Sequence, residues 1–170
     1  FIADINITSE KILSEKRNIA DKIVSRYAAL AAANGLNPIP GLDIGVDVTL
    51  LIKMSKDVQK IYGLDAQQQA YNMQLLDKKS AKFIATKVLQ YSSRYGGKEA
   101  IMILLKRISA TVATKTASKW IPFVGQAIAA GIGFKMTSWI GNDMINDAEE
   151  IAKETFDSFK KIETKANQIS

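Results

Sequence analysis

With 170 residues, 47% hydrophobic and 24% charged, the chain is long and apolar enough for one domain with a sizeable core, and its composition excludes a disordered polymer. It has no Cys and no His, which excludes a disulfide framework, a thiolate zinc site, a cysteine nucleophile and every triad that uses imidazole as its base. The net charge of +6 is uneven: residues 1–140 carry 19 basic and 10 acidic side chains, a balance of +9, and residues 141–170 carry four and seven, a balance of −3.

Pro occurs only at positions 38, 40 and 122, so long helices are permitted almost everywhere else. The first helix is expected from about Ser9 to Ala33, capped by Thr8 or Ser9, with Ile12, Ile19, Ile23, Tyr27 and Leu30 as its apolar stripe. Asn34-Gly35 signals its end. A stiff connector follows, Asn37-Pro38-Ile39-Pro40-Gly41-Leu42-Asp43, in which two prolines fix φ and Gly41 permits the turn. Asp43 is the expected cap of the next helix, with Asp47 one turn on, Val48, Leu51, Ile52 and Val58 inward, and Tyr62-Gly63 as the stop.

Asp65 caps a weaker third helix that reaches Leu76, and an amphipathic helix from Lys78 to Tyr95 places Phe83, Ile84, Val88 and Tyr91 at core spacing. Gly96-Gly97 breaks it. A further helix from Ala100 to Lys119 turns Ile101, Leu104, Leu105, Ile108 and Val112 inward, and Trp120-Ile121-Pro122 closes that segment. From Pro122 the pattern permits helix almost to Ile162, with Gly141 the weakest point. No alternating apolar-polar stretch bounded by hairpin turns occurs, so no strand is expected. The fold class read from this pattern is all-α: a single-domain multi-helix bundle over 1–170, with two central small-residue-rich helices entered through proline elbows at Pro38/Pro40/Gly41/Asp43 and at Pro122.

The segment from Ile121 to Ile140 carries one formal charge, Lys135, and places Gly125, Ala129, Gly133 and Thr137 at four-residue spacing. On a helix these make a smooth ridge that lets a neighbouring backbone come close. Such a stretch fits either a membrane-inserting helix or the central helix of a bundle, and Lys135 with three glycines favours the second.

No catalytic residue is assigned. Asp43 and Asp47 share an i, i+4 spacing that suits a cation or a shared proton, but with no His or third ligand nearby capping is the simpler reading. The acidic group Asp143, Asp147, Glu149, Glu150, Glu154 and Asp157 is spread over several helix faces without a calcium-loop pattern, and reads as a solvated face rather than a metal site. Gly96-Gly97-Lys98 is not a P-loop, because Glu99 stands where Ser or Thr is required and Ser92 where the first Gly belongs. No basic run is interleaved with aromatics, so nucleic acid is not expected as a partner.

Pro38-Ile39-Pro40-Gly41-Leu42-Asp43-Ile44-Gly45-Val46-Asp47-Val48, followed by Tyr62-Gly63-Leu64-Asp65 and then by Ile121-Pro122-Phe123-Val124-Gly125-Gln126-Ala127-Ile128-Ala129-Ala130, resembles the helical domain of immunity-related GTPases. The helical tails of a bacterial family of membrane-associated GTPases are similar in design. The matching segments cover about half the chain in the expected order, while residues 66–110 match only in helical character. The resemblance implies a helical domain beside a Ras-like GTP-binding domain, contributing to association with an anionic membrane surface, to oligomer formation and to relay of nucleotide state. It implies a cytoplasmic protein that is peripheral on the membrane. The P-loop, switch and base-recognition motifs have no counterparts here, so no cofactor is expected on this chain, and GTP with magnesium belongs to a preceding domain. A chain opening on Phe1 rather than Met fits such a C-terminal piece.

Two other readings stand beside it. One is a stand-alone membrane-inserting or pore-forming protein that hides a hairpin over residues 100–140 with its bend at Pro122. The other is a plain protein-interaction module without lipid affinity.

Overall fold

In a computed structural model, which describes residues 2–34, 47–116 and 126–169, the chain forms six helices: α1 (Ile2–Asn34), α2 (Val48–Tyr62), α3 (Ala66–Leu75), α4 (Lys78–Tyr95), α5 (Lys98–Thr116) and α6 (Gln126–Ile169). No strand occurs among the described residues. The elbow residues Pro38, Pro40, Gly41, Asp43 and Pro122 lie outside them, as do Gly125 and the side chains of Val112 and Ala129.

Aspartates and glycines set the helix boundaries. Asp47, extended at φ −77°, accepts hydrogen bonds from the Thr49 and Leu50 amides, so α2 starts at Val48 with Asp47 as its cap. Asp43 was the expected cap. Asp43 lies outside the described residues, and Asp47 stands just before α2 as its cap. Asp65 caps α3 through the Gln68 amide, as expected, and Asp77 caps α4 through the Lys79 and Ser80 amides. Gly63 adopts φ 71°, while the Gly63 and Leu64 amides donate to Lys60 and Gln59. That is a Schellman ending, and it holds Leu64 in the core.

Some boundaries and faces differ from the sequence reading. Helix α1 begins at Ile2, so neither Thr8 nor Ser9 is its cap. Among its described side chains the buried ones are Leu13, Ala20, Val24, Ala28 and Ala31, whereas Ile19 and Leu30 are 52% and 48% exposed. Phe83 of α4 is also exposed, while Ile84 and Tyr91 are buried. Helix α5 runs from Lys98 rather than Ala100, with Ile101 and Leu105 fully inside and Leu104 and Ile108 half-buried. Gly141 does not interrupt α6, which continues for 44 residues, about 66 Å at the usual rise per residue.

Helix α6 is the spine of the bundle. It packs most extensively on α1, and also on α2 and α4, while α5 rests on α2 and α4. Leu51, Met54 and Val58 of α2 meet a core completed by Ile84, Tyr91, Tyr95, Ile101, Leu105, Ile140, Met144, Ile145 and Ala148. Tyr91 and Tyr95 are in ring contact, with centroids 4.9 Å apart and planes tilted by 56°. Helix α3 is the outlier: only Asn72 is buried, and its packing is on α4.

The α1–α6 contact explains why α1 is lined with small residues. A Cβ added at Gly141 would lie 2.4 Å and 2.7 Å from the two Cγ atoms of Val24, so the helices approach at that point to a distance only glycine permits. Arg17 pairs with Asn146 and Glu149, which makes the two helices antiparallel. Gly133 and Thr137 are both buried, and the Thr137 hydroxyl has no hydrogen-bond partner. The described part of the small-residue ridge is therefore interior. Gly133→Leu is expected to overpack the interior there and destabilise the protein by roughly 1–3 kcal/mol, measured as a lowered chemical-denaturation midpoint.

Candidate functional site

The polar groups with defined partners cluster where α6 meets α1 and α4. Asp147, Glu149 and Glu150 belong to the acidic group that the sequence reads as solvated, yet each is engaged across a helix interface. Arg17 of α1 pairs with Glu149, and its second guanidinium nitrogen donates to Asn146 Oδ1 at 2.6 Å. Lys87 of α4 lies 2.8 Å from Glu150. Arg94 and the Tyr95 hydroxyl both donate to Asp147 Oδ2, at 2.9 Å and 2.7 Å. Asp143 and Asp157 remain exposed.

A three-four periodicity brings these groups together. Asp147 and Glu150 are three apart on α6, Lys87 and Arg94 are seven apart on α4, and the antiparallel helices set one pair against the other. The spacing was legible in the sequence, but the partner helix was not. Burial raises the Tyr95 phenol far above its ordinary value, and the Asp147 carboxylate it bonds reinforces the shift. Burial likewise raises Tyr91, whose hydroxyl is 3.4 Å from the Ser55 carbonyl. Lys87 is raised chiefly by its hydrogen bond to Glu150.

A cleft of about 190 Å³ lies along this α4–α6 seam, bordered by Lys87, Tyr91, Arg94, Asp147 and Glu150. Across it Lys87 pairs with Glu150 and Arg94 with Asp147, and burial raises the Tyr91 phenol. A second groove of about 280 Å³ runs between α1 and α6 past Leu13, Arg17, Glu149 and Lys153. Among the described residues no group of three acidic side chains is placed to hold a metal ion.

Two further polar features sit behind these seams. The Lys16 ammonium donates to the Ile61 carbonyl near the C-terminus of α2, where the helix dipole favours a cation, and burial lowers its pKa. Tyr27 donates to Asp57 at 2.6 Å, and burial with that hydrogen bond pushes its phenol up to about 12. Both contacts tie α1 to α2.

The residues singled out from the sequence divide clearly. Gly133 and Thr137 are buried, and Asp47 serves as a helix cap. Sequence reasoning missed the pairing of α4 with α6, and it missed that α4 carries five cations and no carboxylate. No helix among the described residues is long and apolar enough to cross a membrane.

What the fold and these seams define is an all-α bundle built around one long helix. No protein-family model, curated protein or solved structure matches the chain.

Proposed function

We propose that this chain is a non-catalytic helical effector domain that works beside a dynamin-like or immunity-type GTPase, mediating membrane association or oligomer formation. The sequence resemblance carried by Pro38–Val48 and Ile121–Ala130 supports the reading. The observation that carries it in the structure is the construction of α6, whose seams with α1 and α4 are held by Glu149, Glu150 and Asp147. A 44-residue helix fastened in this way is a rigid strut, suited to passing a displacement from a neighbouring domain to a distant face.

On this reading GTP and magnesium are bound by the neighbouring domain. This chain contributes a surface that meets an anionic membrane, a second copy or that GTPase domain, in a cytoplasmic protein peripheral on the membrane. The coding sequence upstream of Phe1 is expected to encode a P-loop GTPase domain. A gene with no such domain upstream contradicts the proposal.

A further inference from the structure

Helix α4 carries Lys78, Lys79, Lys82, Lys87 and Arg94 and no acidic residue. Lys87 and Arg94 are spent on α6, where Glu150 and Asp147 neutralise them. Lys78, Lys79 and Lys82 are exposed and make no ion pair among the described residues. They occupy the first turns of the helix, where the macrodipole disfavours cations. Asp77, next to them in the chain, is engaged by the Lys79 and Ser80 amides and by the Ser80 hydroxyl at 2.7 Å. Helix α3, which leads into this corner, has no charged residue at all. Lys165, near the end of α6, is close enough to act on the charge of Asp77, so a further cation faces the same corner.

Large apolar side chains project from the same corner. Tyr71 and Leu75, one turn apart on α3, are 59% and 49% exposed, and on α4 Phe83 is exposed and Leu89 is 66% exposed. Lysines with apolar tips between them match the boundary of an anionic bilayer, where ammonium groups meet headgroup phosphates and the tips enter the acyl margin. The cations are all Lys, suited to a diffuse field of charge rather than to bidentate recognition of a shaped phosphate. One exposed aromatic on each helix, Tyr71 and Phe83, is no stacking platform for bases.

We infer that the α3–α4 corner, built from Tyr71, Leu75, Lys78, Lys79, Lys82 and Phe83, is a docking face for an anionic lipid surface. The inference rests on the membrane-association reading above and assigns it to one face.

The test is flotation of the purified chain with phosphatidylcholine vesicles, with and without phosphatidylserine. The wild type is expected to float with the anionic vesicles and to stay behind with the neutral ones. Combining Lys78→Glu, Lys79→Glu and Lys82→Glu is expected to lower anionic-vesicle affinity about a hundredfold. Leu75→Ser with Phe83→Ser is expected to weaken it by more than any loss of folded protein accounts for, with the unfolding midpoint measured alongside because the two side chains are half-buried, at 49% and 45% exposed. Lys53→Glu with Lys56→Glu, on the exposed face of α2, is the control for net charge and is expected to leave most of the binding intact. A wild type that floats with neither vesicle overturns both this inference and the membrane reading beneath it. A wild type that floats, with the triple lysine variant floating equally well, overturns the face and leaves that reading standing. Equal losses in the α4 and α2 variants overturn the face too, because net charge alone would then drive binding.

Discussion

Gly141→Ala is expected to lower the stability of the protein by about 1–3 kcal/mol. The sign is the informative part. In a helix interior judged by propensity alone, alanine is better than glycine by up to about 1 kcal/mol, so the same substitution on a free helix face would stabilise. Here the new methyl meets both Cγ atoms of Val24 well inside contact distance. Val24 is β-branched and stiff at χ1 in a helix, so it cannot turn aside, and α1 must move away from α6 instead. Such a shift strains the neighbouring contacts that hold the bundle's principal interface together. Val24→Ala in the same chain removes the obstruction. The double variant is therefore expected to be more stable than the sum of the two single losses predicts, and a double-mutant cycle by urea unfolding measures the coupling. A stabilising or silent Gly141→Ala would mean that the helices do not approach here.

The second large effect is expected at Asp147. Its Oδ2 accepts from the hydroxyl of fully buried Tyr95 and from the half-exposed Arg94 guanidinium. Asp147→Ala leaves the Tyr95 hydroxyl without its partner inside the core, at a cost of about 1–3 kcal/mol. The ion pair with Arg94 contributes less, because an exposed guanidinium is well solvated when released. Arg94→Ala should therefore be mild. Tyr95→Phe removes the hydroxyl together with its need for a partner, so adding it to Asp147→Ala is expected to recover part of the loss. If Arg94→Ala proved as damaging as Asp147→Ala, the charge pair rather than the buried phenol would hold this seam.

The sequence made the punctuation of the helices clear and the faces less so. Asp65, Gly63 and the Gly96-Gly97 break act through local backbone chemistry, and a local reading finds them. The face of α1 was misjudged for a physical reason. Large aliphatic residues dominate a periodicity reading, yet the buried residues of α1 include Ala20, Val24, Ala28 and Ala31, and Val24 meets α6 at Gly141, where the approach leaves no room for a larger group. Ile19 and Leu30 fall beside that contact and remain exposed. Gly141 itself was read as a helix weakness because propensity is a property of one residue, whereas its value here lies in a residue 117 positions away.

The polar seams were half legible. The seven-residue spacing of Lys87 and Arg94 and the three-residue spacing of Asp147 and Glu150 are written in the chain. Which helix each faces depends on the antiparallel register, which no local pattern specifies. The cationic start of α4 was visible in composition alone. The structure adds which of its charges α6 neutralises and which are left to solvent.

The central claim, that this bundle serves a neighbouring GTPase, is tested most directly by titrating GTP in the presence of magnesium into the whole gene product and, separately, into residues 1–170. The account predicts saturable GTP binding by the whole product and none by the 170-residue chain. A whole product that binds no GTP would contradict it.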